Sequence, residues 1–336
     1  MHARQLAHIP ILLVLPLLAA CASSPASPAA TGGPPPWDRT IRALTDGRPL
    51  SPPPITFARR AELESNLRAA KAALDADPTG EEALIWYGRR LAYLHRYADA
   101  IDTFSRGIEL HPGSYRLPRH RGHRYITVRR FDLAILDLSR AAHLAEGTVD
   151  RIEPDGAPNA AGIPLTTDHS NIWYHLALAQ YLGGDFQSAA RSWARCVEVR
   201  RDNDDSLVAA TYWHYLTLRR LNRDAEAAAA LAPIHAGMTI LENRSYHAML
   251  LMFKGERSRS AILRDASASE LDAATVGYGL GIAALLEGDA ATARSQFQSV
   301  TAASMWPAFG HIAAEAELAR MPAAQAPAAP SGQVAR

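Results

Sequence analysis

The sequence predicts an all-α protein, a solenoid made by stacking helical hairpins. Three observations predict it. Gly88 and Gly122, Ala100 and Ala134, and Phe104 and Leu138 each recur 34 residues apart, and signature residues at that fixed period mark a helix–turn–helix repeat. Within one period, small Gly88 and Ala100 let two helices approach closely, while Leu84, Leu91 and Phe104 fill the space between them. Pro112 then ends the second helix, because proline lacks the amide hydrogen and restricts the residue before it. An array of this kind presents a long surface to a partner and seldom does chemistry.

Taken in order, the chain opens with an apolar run from Ile9 to Ala20, interrupted by Pro10 and Pro16 and preceded by Arg4. The run is too short to span a bilayer as a stable helix, and residues 1–20 read as an export signal. It ends in Leu18-Ala19-Ala20-Cys21, which resembles the bacterial lipobox. That resemblance implies cleavage before Cys21 and lipidation of it, with more than one acyl chain and hence a stable anchor. An ordinary secretory signal with an incidental cysteine is the alternative. Ala22 and Ser23 carry no acidic inner-membrane retention signal. By the same resemblance, the outer membrane is favoured, with the bulk of the protein facing the periplasm. Residues 21–54 read as a flexible tether of Pro, Ala and Ser. A helix is expected over 55–80, starting near Phe57 with Thr56 as N-cap, and packing on the first repeat.

The first unit, 81–114, carries Leu84, Tyr87, Gly88 and Leu91, then Tyr97, Ala100, Phe104 and Pro112. This resembles the tetratricopeptide repeat pattern W-x2-L-G-x2-Y, A-x3-F, P. The second unit, 115–148, repeats it with Gly122, Tyr125, Phe131, Ala134, Leu138 and Ala141, without the closing proline. The third, 170–203, has Trp173, Leu176, Ala177, Gly184-Asp185-Phe186, Ala189 and Trp193, with Ala177 and Gln180 in place of the glycine and tyrosine. Degenerate units follow over about 208–241, 241–274 and 274–307. A final helix over 308–320 reads as a cap, and the Ala/Pro-rich tail 321–336 reads as disordered. The resemblance covers roughly residues 80–320 and implies a right-handed superhelical solenoid of tetratricopeptide-like hairpins; another α-hairpin solenoid is the alternative.

Formal net charge is +1, so there is no global drive toward nucleic acid or a membrane surface. Only Lys71 and Lys254 are lysine, and arginine favours bidentate recognition of carboxylate or phosphate wherever several converge. Of the two cysteines, Cys196 is left alone if Cys21 is acylated, and its small-residue position suits packing as a small hydrophobe.

The family resemblance implies a concave groove lined by the first helix of each unit. Carried onto this sequence, the groove positions are Arg89 and Tyr93; Arg116, Arg119, His120 and His123; Tyr174, His175 and Tyr181; Tyr212, Trp213, Arg219 and Arg220; and Tyr246, Met249 and Met252. Basic residues at the N-terminal end and aromatics through the middle suit an acidic or carboxylate-ended peptide with apolar anchors. The competing reading is that the aromatics pack between units. The stretch Arg116–Arg130 also holds Arg121, Arg124, Arg129 and Arg130, with Asp132 as its nearest acid. The lysine and asparagine of the family's best-known peptide-end clamp are absent, so that specificity is not implied. His120 and His123 are one turn apart, but no cysteine or carboxylate cluster completes a metal site.

Between the second and third units lies an insertion, 149–169, dominated by turn formers and opening with Asp150, Glu153 and Asp155. A loop of this length in a compact array is functional or disordered. It is expected either to fold back over the basic groove as a plug or to be a tolerated surface insertion. Three functions follow for comparison: an adaptor lipoprotein holding a protein partner, a recognition module for cell-wall peptide or glycan, and an enzyme. No nucleophile elbow, phosphate loop or zincin helix is present in the sequence, which points away from the third, and no cofactor is expected.

Overall fold

The computed structural model describes residues 39–200, 202–265 and 269–322. The chain divides after Asp38, and every described residue belongs to the second unit. The expected export signal, Cys21, the first part of the tether and the tail beyond Pro322 lie outside the described residues.

Apart from isolated bridges between Arg42 and Pro49 and between Ile152 and Thr167, the described residues form helices and their connections. Fourteen helices are seen among them. After α1 (Phe57–Ala76), six hairpins follow. They are α2 (Glu81–Tyr93) with α3 (Tyr97–Leu110), α4 (Arg116–Thr127) with α5 (Phe131–Ala145), and α6 (Asp168–Gly183) with α7 (Phe186–Val199). Then come α8 (Asp204–Arg220) with α9 (Asp224–Leu231), α10 (Arg244–Phe253) with α11 (Arg259–Asp265), and α12 (Glu270–Leu286) with α13 (Ala290–Ala302). The last helix is α14 (Phe309–Arg320). First helices touch one another along the array, α2 with α4, α4 with α6, α6 with α8, α8 with α10 and α10 with α12, and so form the inner layer of a superhelical solenoid.

The small-against-large rule holds each hairpin together. A Cβ on Gly88 would lie 2.4 Å from the Phe104 ring, one on Gly122 2.6 Å from Leu138, and one on Gly281 2.5 Å from Phe297. Local signals set the helix starts: Thr56 accepts from the Arg59 amide, Thr167 and Ser170 form a capping box, and Asn203 accepts from the Ser206 amide. Asn203 accordingly starts α8 at Asp204, ahead of the sequence reading near Val208. Every hairpin turn uses one left-handed residue: His95, Arg129, Gly184, Asn222, Gly255 and Gly288. At Arg129 (φ 64°) that conformation costs about 1 kcal/mol, so packing must hold it.

The solenoid closes on itself, which the repeat pattern does not predict. Helix α14 packs on α12 and α13 as a cap would, but it also crosses the concave face to α6. Its residues Gly310 to Glu317 are all buried. A Cβ on Gly310 would lie 2.5 Å from the Ala274 carbonyl oxygen, so α14 rests directly on the backbone of α12. Glu315 receives Arg129 through Nε (3.1 Å) and Nη2 (3.0 Å), while Arg220 Nη1 donates to Glu317 (3.1 Å) and Arg320 Nη1 to Leu182 O (2.8 Å). Residues 39–54, expected as tether, instead join the two ends of the array. Arg39 pairs with Asp99 on α3, the Leu44 amide donates to Glu315 (3.2 Å), and Trp306 Nε1 donates to Ser51 O (2.6 Å).

Candidate functional site

The insertion crosses the mouth of the groove as a strap. Arg89 Nη2 donates to Pro154 O (2.9 Å) and Arg90 Nη1 to Gly156 O (2.7 Å), tying it to α2. Glu153 forms an ion pair with Arg119 Nη2 on α4 (2.9 Å) and accepts from Asn171 Nδ2 on α6 (3.0 Å). Asn159 then donates to Glu242 just before α10 (2.8 Å), and Leu165 O accepts from Asn203 and Ser206 (2.9 and 2.7 Å). The strap therefore spans from the first unit to the fifth, with the Glu153 carboxylate turned inward and buried.

Beneath it lies a cavity of about 120 Å³, lined among others by Arg89, Arg119, Arg124, His120, His123 and Glu153. Glu153 is its one carboxylate among the lining residues. Arg119 Nη1 donates to His120 Nδ1 (2.9 Å), and His120 stacks on Phe104 at 5.7 Å. Burial, then the positive charges of Arg119 and Arg89, push the His120 imidazole well below the usual histidine range. Burial followed by Arg124 does the same to His123, and burial followed by Arg119 to His175. These three rings are neutral at pH 7. Burial also pulls the Arg124 guanidinium down to about 10.

The arginine-rich stretch does not form one face. Arg116 pairs with Glu82 (2.6 Å), Arg119 with Glu153 (2.9 Å), Arg121 with Asp137 (2.7 Å), Arg129 with Glu315 (3.0 Å) and Arg130 with Asp132 (3.3 Å). Of the arginines in this stretch, Arg124 alone has no carboxylate partner among the described residues; its guanidinium lies over the Tyr97 ring, 5.8 Å from the ring centre. Glu153, Asp137 and Glu315 come from the strap, the facing helix and the far end of the chain, which explains why the stretch reads as unneutralised in the sequence.

Farther along, His123 lies 4.2 Å from His175 and 5.6 Å from Phe309, ring centre to ring centre. Tyr174 meets Trp193 edge-on at 5.0 Å. A second cavity of about 310 Å³ opens here, bounded by Tyr174, Tyr246, Phe309, Asn243, Thr275 and Asp272, with His123 shared between the two cavities. Tyr246 stacks on Tyr212 (4.5 Å) and accepts from Trp213 Nε1 (3.3 Å). Tyr212 and Trp213, expected on the groove wall, are instead fully buried, as are Tyr181 and Met249, because α12 and α14 cover the positions an open groove would expose. Arg219 donates to Tyr215 (2.9 Å) and pairs with Asp224 at the end of α8, apart from the basic cavity. Tyr93 lines the basic cavity beneath Gly156, where a Cβ would fall 2.1 Å from the Tyr93 hydroxyl.

Sequence reasoning missed Phe309, Glu315 and the buried role of Arg129. The one signal that could have found them is the composition of α14, where His311, Glu315 and Glu317 interrupt an alanine-rich helix and must meet partners once it is buried.

No protein-family model matches the chain, and no curated protein does. Among solved structures it is similar to a tetratricopeptide repeat protein from Parabacteroides merdae, at 14% identity over 79% of this chain and 95% of that one, with a TM-score of 0.44. It is similar to PilW, described as a widely conserved type IV pilus biogenesis factor, at 15% identity over 73% and 88% of the two chains and a TM-score of 0.41. YrrB, described as a TPR protein with an unusual peptide-binding site, matches at 15% identity over 69% and 99%, with a TM-score of 0.39.

Proposed function

We propose that this chain is a non-enzymatic scaffold lipoprotein of the bacterial cell envelope. Acylated at Cys21 and held at the outer membrane, it faces the periplasm and binds a protein or peptide partner on its concave side. An acidic or carboxylate-ended segment of that partner meets Arg89, Arg116 and Arg119. What supports the reading is the Glu153–Arg119 contact (2.9 Å): the chain already places one of its own carboxylates on the basic wall, in the position a partner's carboxylate would take. A second reading, recognition of cell-wall peptide or glycan, draws on the 310 Å³ cavity, where Tyr174, Tyr246 and Phe309 stand beside Asn243, Thr275 and Asp272, a mixture suited to stacking on and hydrogen bonding to a sugar.

The test is capture by brief crosslinking in membranes. Wild type is compared with Cys21→Ser and with a variant whose residues 153–162 are replaced by a short Gly/Ser linker. A periplasmic or outer-membrane protein retained by wild type, retained more strongly by the linker variant and reached less efficiently by soluble Cys21→Ser is the expected result. If no protein is retained by any of the three while purified sacculi retain all of them, the scaffold reading gives way to the wall-binding one.

A further inference from the structure

We infer that the cavity beneath the strap is an anion-binding pocket, in which Arg119 and Arg124 take a small oxyanion or a terminal carboxylate in competition with the Glu153 side chain. The inference deepens the groove-binding reading and, in its peptide form, rests on it.

Charge is the first argument. Arg89, Arg119 and Arg124 face one carboxylate, and the imidazoles beside them are neutral, so the pocket carries an excess of positive charge behind a buried wall. Desolvated charge in such a place calls for a counter-charge. Unused donors are the second. The Arg119 side chain is 9% exposed, and its Nε has no hydrogen-bond partner. A buried donor in that state is costly to leave unmade. Arg124 lines the same cavity and makes no hydrogen bond through its side chain among the described residues. The remaining arginines of the stretch are each matched to a carboxylate, so the deficit is local to this pocket.

Size is the third argument. A cavity of about 120 Å³ holds several water-sized groups, and so a phosphate or a carboxylate with part of its hydration. It is too small for a nucleotide or a folded segment. Guanidinium forks match both oxyanions in bidentate geometry. Entry is provided by the strap, which meets α2 through two backbone carbonyls, the Glu153–Arg89 pair (3.9 Å) and Gly156 against Tyr93, and elsewhere carries exposed residues such as Arg151, Pro154 and Ala157.

The experiment is calorimetric titration of the full-length, detergent-solubilised protein in low-chloride buffer. Three probes are used: inorganic phosphate, a short peptide with a free C-terminal carboxylate, and the same peptide amidated. The variants are Glu153→Gln and Arg124→Gln, each checked for folding by circular dichroism. Saturable phosphate binding that tightens at least about tenfold in Glu153→Gln and weakens at least about tenfold in Arg124→Gln supports the pocket with a free anion as its source. Binding of the free-ended peptide alone, with the same variant pattern, supports it with a chain end as the source. No saturable binding of any probe by folded wild type and folded Glu153→Gln overturns the inference. Equal affinity in those two proteins overturns the competition with Glu153. Phosphate requires no protein partner, so failure of the crosslinking test leaves this one interpretable.

Discussion

Replacing Arg129 by methionine removes the charge that joins the second hairpin to α14 while keeping a long side chain. The position stays left-handed (φ 64°) with either residue, so backbone strain cancels from the comparison. What changes is the environment of Glu315, whose side chain is 1% exposed. It loses two charge-assisted bonds and keeps only His311 Nε2 (3.0 Å) and the Leu44 amide (3.2 Å). The carbonyls of Thr127 and Trp306 lose the same donor. Removing one partner of a buried pair costs about 3–5 kcal/mol, because the other charge stays buried. His311 and Arg129 together also set the titration of Glu315. Burial raises its carboxyl, but the His311 bond and then Arg129 override this and hold it at about 2, against an ordinary 4.5. That depression corresponds to about 3 kcal/mol. Since the folded-state value is the lower one, this stability is fully present above about pH 5 and is lost as pH falls from 4.5 towards about 2. Urea denaturation at pH 7 reads the loss, and peptide-level hydrogen exchange reads whether α14 loosens first. The double variant Arg129→Met, Glu315→Leu should recover a large part of the loss, since neither charge is then left alone. A loss under about 1 kcal/mol with α14 still protected, or a double variant no better than the sum of the singles, would refute the role given to the Arg129–Glu315 pair.

Gly310→Ala places a methyl 2.5 Å from the Ala274 carbonyl, which cannot rotate away, so a loss of about 1–3 kcal/mol in thermal or urea unfolding is expected, while Gly113→Ala, with nothing within 4 Å, should be neutral. The Cys196 thiol is buried and pushed up to about 12, so in Cys21→Ser protein it should resist a thiol reagent at pH 8 until the protein is unfolded; fast labelling of the native state would contradict its placement. Thr167→Ala removes one half of the capping box that starts α6 and should cost about 1 kcal/mol, with exchange rising first in the amides of Asp168 to Asn171.

The hairpins were legible because their rule is local. Gly88 and Phe104, or Gly122 and Leu138, lie within one unit and repeat at one period, so the sequence displays the packing partner beside the residue. The basic cavity was half legible. Arg89, Arg119, His120 and His123 do converge, because unit position places them on successive inner helices. Their neutralisation was not legible. Glu315 is 186 residues from Arg129, and no local pattern links them. Tyr212 and Trp213 show the same limit from the other side. An aromatic on a first helix has the same periodicity whether the groove beside it is open or filled, and what decides is a later helix packed over it, here α12 through Tyr278 and Gly279.

The two segments that fill the groove differ in what it takes to move them. Helix α14 carries Glu315 and Glu317 at 0% and 1% exposure, each bound to arginines of other hairpins, and Gly310 lies against the α12 backbone. Lifting it would strip two buried carboxylates of their partners and expose Ile312, Ala313 and Ala314, which are fully buried, at a cost comparable to the whole stability of a domain. The strap between Arg151 and Gly162 is mostly exposed and has one buried acidic contact, Glu153. An incoming carboxylate restores the charge balance at Arg119 that Glu153 gives up, so the exchange is close to even before the partner's other contacts are counted. In this architecture α14 is therefore part of the scaffold, and the strap is the less costly of the two segments to displace. On the proposed reading a carboxylate-bearing partner starts at the N-terminal hairpins, where the arginines are, while the cavity between Tyr174, Tyr246 and Phe309 is left to the second reading.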